Sequence, residues 1–220
     1  MKNSRNWLVL LGLYLGVPAG MLALPVELRV RLGIPVLLVI AAGCGFAMSR
    51  QKRQSRDELR SGETMICQWR GVLLRFLIGG VVLAVVAKRC VPEWFLSLPM
   101  DHPRRWLAIC VLYPLLSVCP QEMIYRVFFF DLASGMFPGL GKWWLVVVNA
   151  MLFGFAHVVF GNVWAPLMAM AGGVMFASNY ASRRSFLCVV VEHAMWGDLI
   201  FTLGLGPVFA GGTVAHLLMR

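Results

Sequence analysis

Residues 106–130 read WLAICVLYPLLSVCPQEMIYRVFFF, and this stretch decides the class of fold. It contains only two charged side chains, Glu122 and Arg126. An α-helix of about 20 apolar residues is long enough to cross the hydrocarbon core of a bilayer. The stretch therefore predicts a transmembrane helix with an ionisable pair inside it.

The rest of the chain repeats this pattern, which predicts an all-α, polytopic transmembrane helical bundle of about seven to eight spans. The composition agrees, because 60% of the 220 residues are hydrophobic and 14% are charged, against about 45–50% and about 25% in soluble domains. These values exclude a soluble globular domain, a disordered chain and a disulfide-rich scaffold. We expect one integral membrane domain over residues 1–220, with further spans near 7–24, 33–49, 71–87, 143–160, 163–181 and 186–203 and a weaker one at 205–219.

Positively charged residues gather in the short gaps between the apolar runs, so the net charge of +10 does not indicate nucleic-acid binding. Cytoplasmic loops of membrane proteins carry an excess of Lys and Arg. With eight spans and the amino terminus in the cytoplasm, twelve such residues lie inside and six outside. The bilayer is therefore the expected partner, and nucleic acid is not. The densest basic group consists of Arg50, Lys52, Arg53, Arg56 and Arg60.

A few ionisable residues lie inside the apolar runs, where each costs about 2.5–3.5 kcal/mol near the bilayer centre. Glu122 and Arg126 are four residues apart and share one face of a helix, which predicts an ion pair. Pro120 has no backbone N–H, so it interrupts the helical hydrogen bonds just before this pair.

Two further sites contain histidine. His157 ends the segment Phe153-Gly154-Phe155-Ala156-His157, in which the small residues allow a neighbouring helix to approach closely. Glu192, His193 and Asp198 share one later apolar run, with His193 near its middle. Three ionisable residues in one span favour a functional site.

Together these sites supply a carboxylate and two imidazoles from three different helices. Such groups could activate water and stabilise an oxyanion during amide hydrolysis. Two histidines and a glutamate could equally hold a catalytic zinc ion. The residue types leave both chemistries open.

The three sites, in this order, resemble the CPBP family of intramembrane proteases, which includes the CAAX prenyl endopeptidases and bacterial proteins linked to bacteriocin self-protection and abortive infection. That family is marked by Glu-Glu-x-x-x-Arg, then Phe-x-x-x-His, then His-x-x-x-Asn or Asp. The counterparts are Gln121-Glu122-x-x-x-Arg126, Phe153-x-x-x-His157, and His193 with Gly197 and Asp198. The motifs cover about residues 119–198, within a protease core of about 106–203.

The resemblance implies an intramembrane endopeptidase that hydrolyses a peptide bond of a membrane-associated protein or peptide, in the inner membrane of a bacterium. In the family a glutamate and the first histidine activate water, while the second histidine and the Asn or Asp stabilise the oxyanion. The expected catalytic residues are Glu122, His157 and His193, supported by Gln121, Arg126 and Asp198. No cofactor is expected; the alternative is zinc held by Glu122, His157 and His193.

Two departures from the family pattern affect these expectations. Gln121 stands where the first glutamate of the pair belongs, so Glu122 would have to turn toward the cavity. Gly197 stands four residues after His193, and Asp198 follows one step later, which is a rotation of about 100° on a helix. A catalytically inactive relative that acts as a membrane binding or regulatory protein is therefore the alternative.

The expected spans also separate Glu122 and His157 by about 14 Å in depth, at about 1.5 Å per residue.

Overall fold

The computed structural model describes residues 2–50 and 65–209, with side chains from residues 4–50 and 69–209. Within these ranges every regular element is helical. We number the helices α1 (2–22), α2 (Val26–Arg50), α3 (Met65–Cys90), α4 (Ser97–Asp101), α5 (Pro103–Met136), α6 (Lys142–Ala156), α7 (Trp164–Arg183) and α8 (Phe186–Thr202). Short 3₁₀ turns, His157–Phe160 and Gly206–Phe209, follow α6 and α8.

In the described part of the chain, five helices are long and apolar enough to cross a membrane, which makes this an integral membrane protein. They are Ser4–Leu22, Val26–Arg50, Trp69–Cys90, Pro103–Met136 and Lys142–Phe160. Of the other expected spans, α8 has 17 residues, and α7 is less apolar because it carries Ser178, Asn179 and Ser182. The weak run at 205–219 and the basic residues 52–60 lie largely or wholly outside the described residues.

Helix α5 is continuous but contains two π-helical turns, Pro114–Val118 and Met123–Phe128, on either side of Pro120. The interruption expected around the proline takes this form. Side chains from other helices bond to carbonyl groups of the second turn. The Tyr14 hydroxyl donates to the Ile124 carbonyl at 2.7 Å, and the Asn149 amide donates to the Tyr125 carbonyl.

The pair α6 and α7 packs closely, as the small residues in the His157 segment predict. A Cβ atom added to Gly154 would lie 2.9 Å from the Pro166 carbonyl oxygen and 2.9 Å from the Met170 Cβ. On the same interface, Gly173 lies against Ala150. Without side chains at these glycines, the two backbones can come together.

The expected depth difference between Glu122 and His157 is wrong, because α5 continues to Met136 instead of ending at 130. Residues 137–141 join α5 to α6, and so short a connection makes the two helices antiparallel neighbours. Glu122 lies 14 residues before the end of α5, and His157 lies 15 residues after the start of α6. Both are therefore about 21–23 Å from the shared connection, at about 1.5 Å per residue.

Candidate active site

Glu122 on α5 and His193 on α8 form a direct contact at the centre of the bundle. The Glu122 Oε1 atom lies 2.7 Å from His193 Nδ1, and both side chains are buried. An ionised carboxylate can only accept a hydrogen bond, so Nδ1 carries the proton. The carboxylate thereby fixes the orientation of the imidazole ring.

Arg126 occupies the other side of the same carboxylate. Its Nε lies 3.2 Å from Glu122 Oε2, which confirms the ion pair predicted from the four-residue spacing. The guanidinium lies over the Phe153 ring at 4.5 Å from the centroid, and both partners of the ion pair are fully buried. A buried carboxylate is thus neutralised by a cation that is held by an aromatic face.

The second nitrogen of His193 faces a cavity. Its Nε2 lies 3.3 Å from the Tyr113 hydroxyl, and both residues line the cavity. The imidazole stacks on the Phe176 ring, with centroids 4.5 Å apart and planes 20° from parallel. Because Nδ1 carries the proton, Nε2 is an acceptor, and in this structure its partner is the Tyr113 hydroxyl.

His157 lines the same cavity from the turn that follows α6. Its Nδ1 donates a hydrogen bond to the Phe153 carbonyl at 2.7 Å, which leaves Nε2 as the unprotonated nitrogen. The Phe153 ring lies 4.7 Å from the His157 ring and 5.7 Å from the His193 ring. The two predicted histidines therefore flank one aromatic side chain.

The cavity has a volume of about 830 Å³ and receives side chains from α1, α2, α3, α5, α6, α7 and α8. Its wall is mostly apolar; its polar residues include Tyr113, Gln121, His157 and His193. Gln121 is the cavity-facing residue of the Gln121-Glu122 pair: its Nε2 donates to Ser117 at 2.7 Å, while its buried Oε1 has no described partner. Glu122 does not line the cavity and reaches it only through His193.

Asp198 is not joined to His193 or Glu122 by any hydrogen bond or ion pair among residues 4–50 and 69–209. Its Oδ1 is buried without a hydrogen-bond partner, and its carbonyl accepts a bond from Thr202 at 2.7 Å. Helix α8 is regular from Phe186 to Thr202. The local distortion that would turn Asp198 toward His193 is therefore absent from this helix.

Glu192, next to His193, belongs to a separate network. Its carboxylate accepts hydrogen bonds from Arg75 at 2.6 Å and from Asn179 at 2.5 Å. In the sequence, Glu192 and Arg75 each lie inside an apolar run, and only the fold shows that they neutralise each other.

Tyr113 is the site residue that the sequence reasoning missed. The available signal was indirect, since Gly197 leaves space beside His193 that some other side chain must fill.

The described residues contain no group of three or more His, Cys, Asp or Glu side chains arranged to hold a metal ion. Glu122 Oε1 and His193 Nδ1 share a hydrogen bond, and its proton would have to leave before both atoms could bind a zinc ion.

Residues 103–197 match the family model for type II CAAX prenyl endopeptidase, Rce1-like. The match runs from the start of α5 into α8 and contains the first two motifs and the third from His193 to Gly197, with Asp198 one residue beyond it. This confirms the resemblance to the CPBP and CAAX protease family. It supports a membrane-embedded hydrolase of the protease class. No curated protein and no solved structure matches the chain.

Proposed function

We propose, from the Rce1-like character of residues 103–197, that this protein is an intramembrane endopeptidase. It would hydrolyse a peptide bond of a membrane-associated protein or peptide. The catalytic part spans about residues 106–203 of a single membrane domain. In this proposal the bundle has seven to eight spans and lies in the inner membrane of a bacterium, with the amino terminus in the cytoplasm.

The observation that carries the proposal is the Glu122–His193 contact at 2.7 Å, with the other imidazole nitrogen in the cavity. Nε2 would accept a proton from a water molecule while the water oxygen attacks the peptide carbonyl. The carboxylate would stabilise the imidazolium that forms. Positioned general bases of this kind contribute about 10²–10⁴-fold to rate. His193 Nε2 is thus the general base, whereas the resemblance implied that His193 stabilises the oxyanion. Glu122 orients the imidazole and stabilises its charged form.

His157 and Arg126 complete the proposed machinery. The unprotonated Nε2 of His157 would accept a hydrogen bond from the same water and orient it. Arg126 keeps the carboxylate charged in a buried position, where an uncompensated charge would be costly. The mostly apolar cavity suits an apolar peptide segment.

The proposed reaction needs no cofactor, because the base and its orienting carboxylate are already in contact. Zinc held by Glu122, His157 and His193 is the competing chemistry, and it would require breaking the Glu122–His193 hydrogen bond. Metal dependence of the activity separates the two.

A second candidate function is binding without catalysis, as a membrane binding or regulatory protein. It is favoured by Gln121, whose buried Oε1 has no described partner on the cavity wall. An amide at this place can pair with a peptide backbone but cannot accept a proton from water.

The two functions are separated by incubating the purified protein in proteoliposomes with a library of quenched fluorescent apolar peptides, in water enriched in heavy oxygen. We expect cleavage, with one heavy oxygen in each new carboxyl terminus by mass spectrometry. Glu122→Gln and His193→Gln should each lower kcat by about 10²-fold or more. The matched control is Glu192→Gln, which removes another buried carboxylate and should retain kcat per folded protein.

Full activity of His193→Gln would refute the assignment of the base, and full activity of Glu122→Gln would refute the role of its carboxylate. Peptide binding without cleavage by the unaltered chain would favour the second candidate. Activity that is lost with a chelator and regained with zinc would replace the water mechanism by the zinc mechanism.

A further inference from the structure

The Tyr113 hydroxyl has an unusual position beside the proposed base. It lies 3.3 Å from His193 Nε2, on the wall of the cavity. The Tyr113 ring is fixed by an edge-to-face contact with Phe201, at 5.2 Å between centroids. The phenol therefore points its only polar atom at the place where a substrate carbonyl would meet the attacking water.

Gly197 makes this position possible. A Cβ atom added to Gly197 would overlap the Tyr113 ring and its hydroxyl oxygen. Any side chain at position 197 would thus displace the phenol from His193. Tyr113 fills the space that the third motif of the resembled family assigns to a polar side chain.

Peptide hydrolysis requires a donor for the negative charge that develops on the carbonyl oxygen. His193 Nε2 cannot donate while it is the unprotonated nitrogen, and Asp198 is not joined to His193. The Gln121 amide nitrogen uses one of its two hydrogens for Ser117, and no hydrogen bond joins it to His193 in the described residues. The Tyr113 O–H is a neutral donor in direct contact with the base.

We propose that Tyr113 is the oxyanion donor of this site, an inference that rests on the proposed peptidase function. When substrate and water enter, the hydroxyl leaves Nε2 and donates to the substrate carbonyl oxygen. The water oxygen bonds to the carbonyl carbon, its proton passes to Nε2, and the carbonyl π-electrons become the oxyanion. The oxyanion then reforms C=O, the C–N bond breaks, and the Nε2 proton passes to the amine. Tyr113 keeps its own proton throughout.

The first test is Tyr113→Phe, which keeps the ring contacts and removes only the hydroxyl. Removal of one oxyanion donor lowers kcat by about 10²–10³-fold, and we expect KM for the same peptides to stay within a few-fold. The control is Trp106→Phe, which removes another polar hydrogen from α5: the Trp106 indole nitrogen donates to Thr202 at 2.9 Å, and Trp106 is not part of the cavity wall. We expect this control to retain kcat.

The second test restores a donor from the opposite helix. Tyr113→Ala empties the space beside Gly197, and the double variant Tyr113→Ala/Gly197→Asn places an amide there. We expect the double variant to regain about tenfold or more of the kcat that Tyr113→Ala loses, from an amide donor in place of the phenol. Gly197→Asn alone should lose activity, because the tyrosine ring occupies the same volume.

Full kcat in Tyr113→Phe, or an equal loss of kcat in Trp106→Phe, would overturn the assignment of Tyr113 and leave the peptidase function standing. The absence of cleavage by the unaltered chain would refute the peptidase function itself. The two failures are therefore distinguishable in one assay.

Discussion

At the scale of single residues, two fully buried carboxylates differ in the groups that surround them. Glu122 contacts an imidazole whose other nitrogen reaches the cavity. Glu192 contacts a cation and an amide, and its Arg75 partner is 43% exposed. The first arrangement can move a proton, whereas the second neutralises a charge inside the bundle.

Arg126→Met should destabilise the protein because it leaves the Glu122 carboxylate buried without its cation. Loss of one partner of a buried ion pair costs about 3–5 kcal/mol. The double variant Glu122→Gln/Arg126→Met removes both charges, and we expect it to be more stable than Arg126→Met alone. The free energy of unfolding in detergent micelles measures both effects. Strictly additive losses would contradict the proposed coupling between the two side chains.

The residue-level prediction from sequence succeeded where the partners are close along the chain. A four-residue spacing fixes the face of a helix, so the Glu122–Arg126 pair could be predicted. The contact between Tyr113 and His193 joins residues 80 positions apart and depends on how α5 packs against α8. Nor does spacing show which member of the Gln121-Glu122 pair faces the cavity.

At the scale of helices, the sequence predicted where most apolar helices lie but not their ends. The run 106–130 becomes a helix from Pro103 to Met136. Residues 131–136 include a charge and small residues, which lower the local hydropathy. Hydropathy alone therefore does not predict the last turns of the helix. With those added turns, Glu122 and His157 lie at similar distances from the connection between α5 and α6. The position at which α5 ends therefore determines whether the site can form.

Close packing of α6 and α7 gives a prediction at this scale. Gly154→Ala should lower the free energy of unfolding by about 1–3 kcal/mol, as expected for overpacking a tight interface. The cause is the 2.9 Å approach of the added methyl group to the Pro166 carbonyl. Gly135→Ala is the matched control, since an added Cβ there meets nothing within 4 Å. We expect Gly135→Ala to leave stability unchanged or slightly higher, and an equal loss in both variants would contradict the packing argument.

At the scale of the whole molecule, the cavity is lined by more of the chain than the segment that resembles the protease family. The match begins at residue 103, yet α1, α2 and α3 all contribute to the cavity wall. Hydropathy predicted these three helices as spans, but it gave no sign that they close over the site. The part of the chain that resembles the family contains Glu122, His157 and His193, and the three preceding helices contribute to the cavity wall.

The orientation of the bundle is the remaining whole-molecule prediction. The excess of Lys and Arg favours a cytoplasmic amino terminus, which places the segment after α2 inside and the end of α3 outside. Cys90 is a free, exposed cysteine at that end of α3. All cysteines except Cys90 are first replaced by alanine. A membrane-impermeant maleimide is then added to intact cells whose inner membrane it can reach, and we expect it to label Cys90. With Cys90 also replaced, Ser55→Cys should be labelled only in inverted vesicles. The opposite pattern would mean that the moderate excess of positive charge does not set the topology.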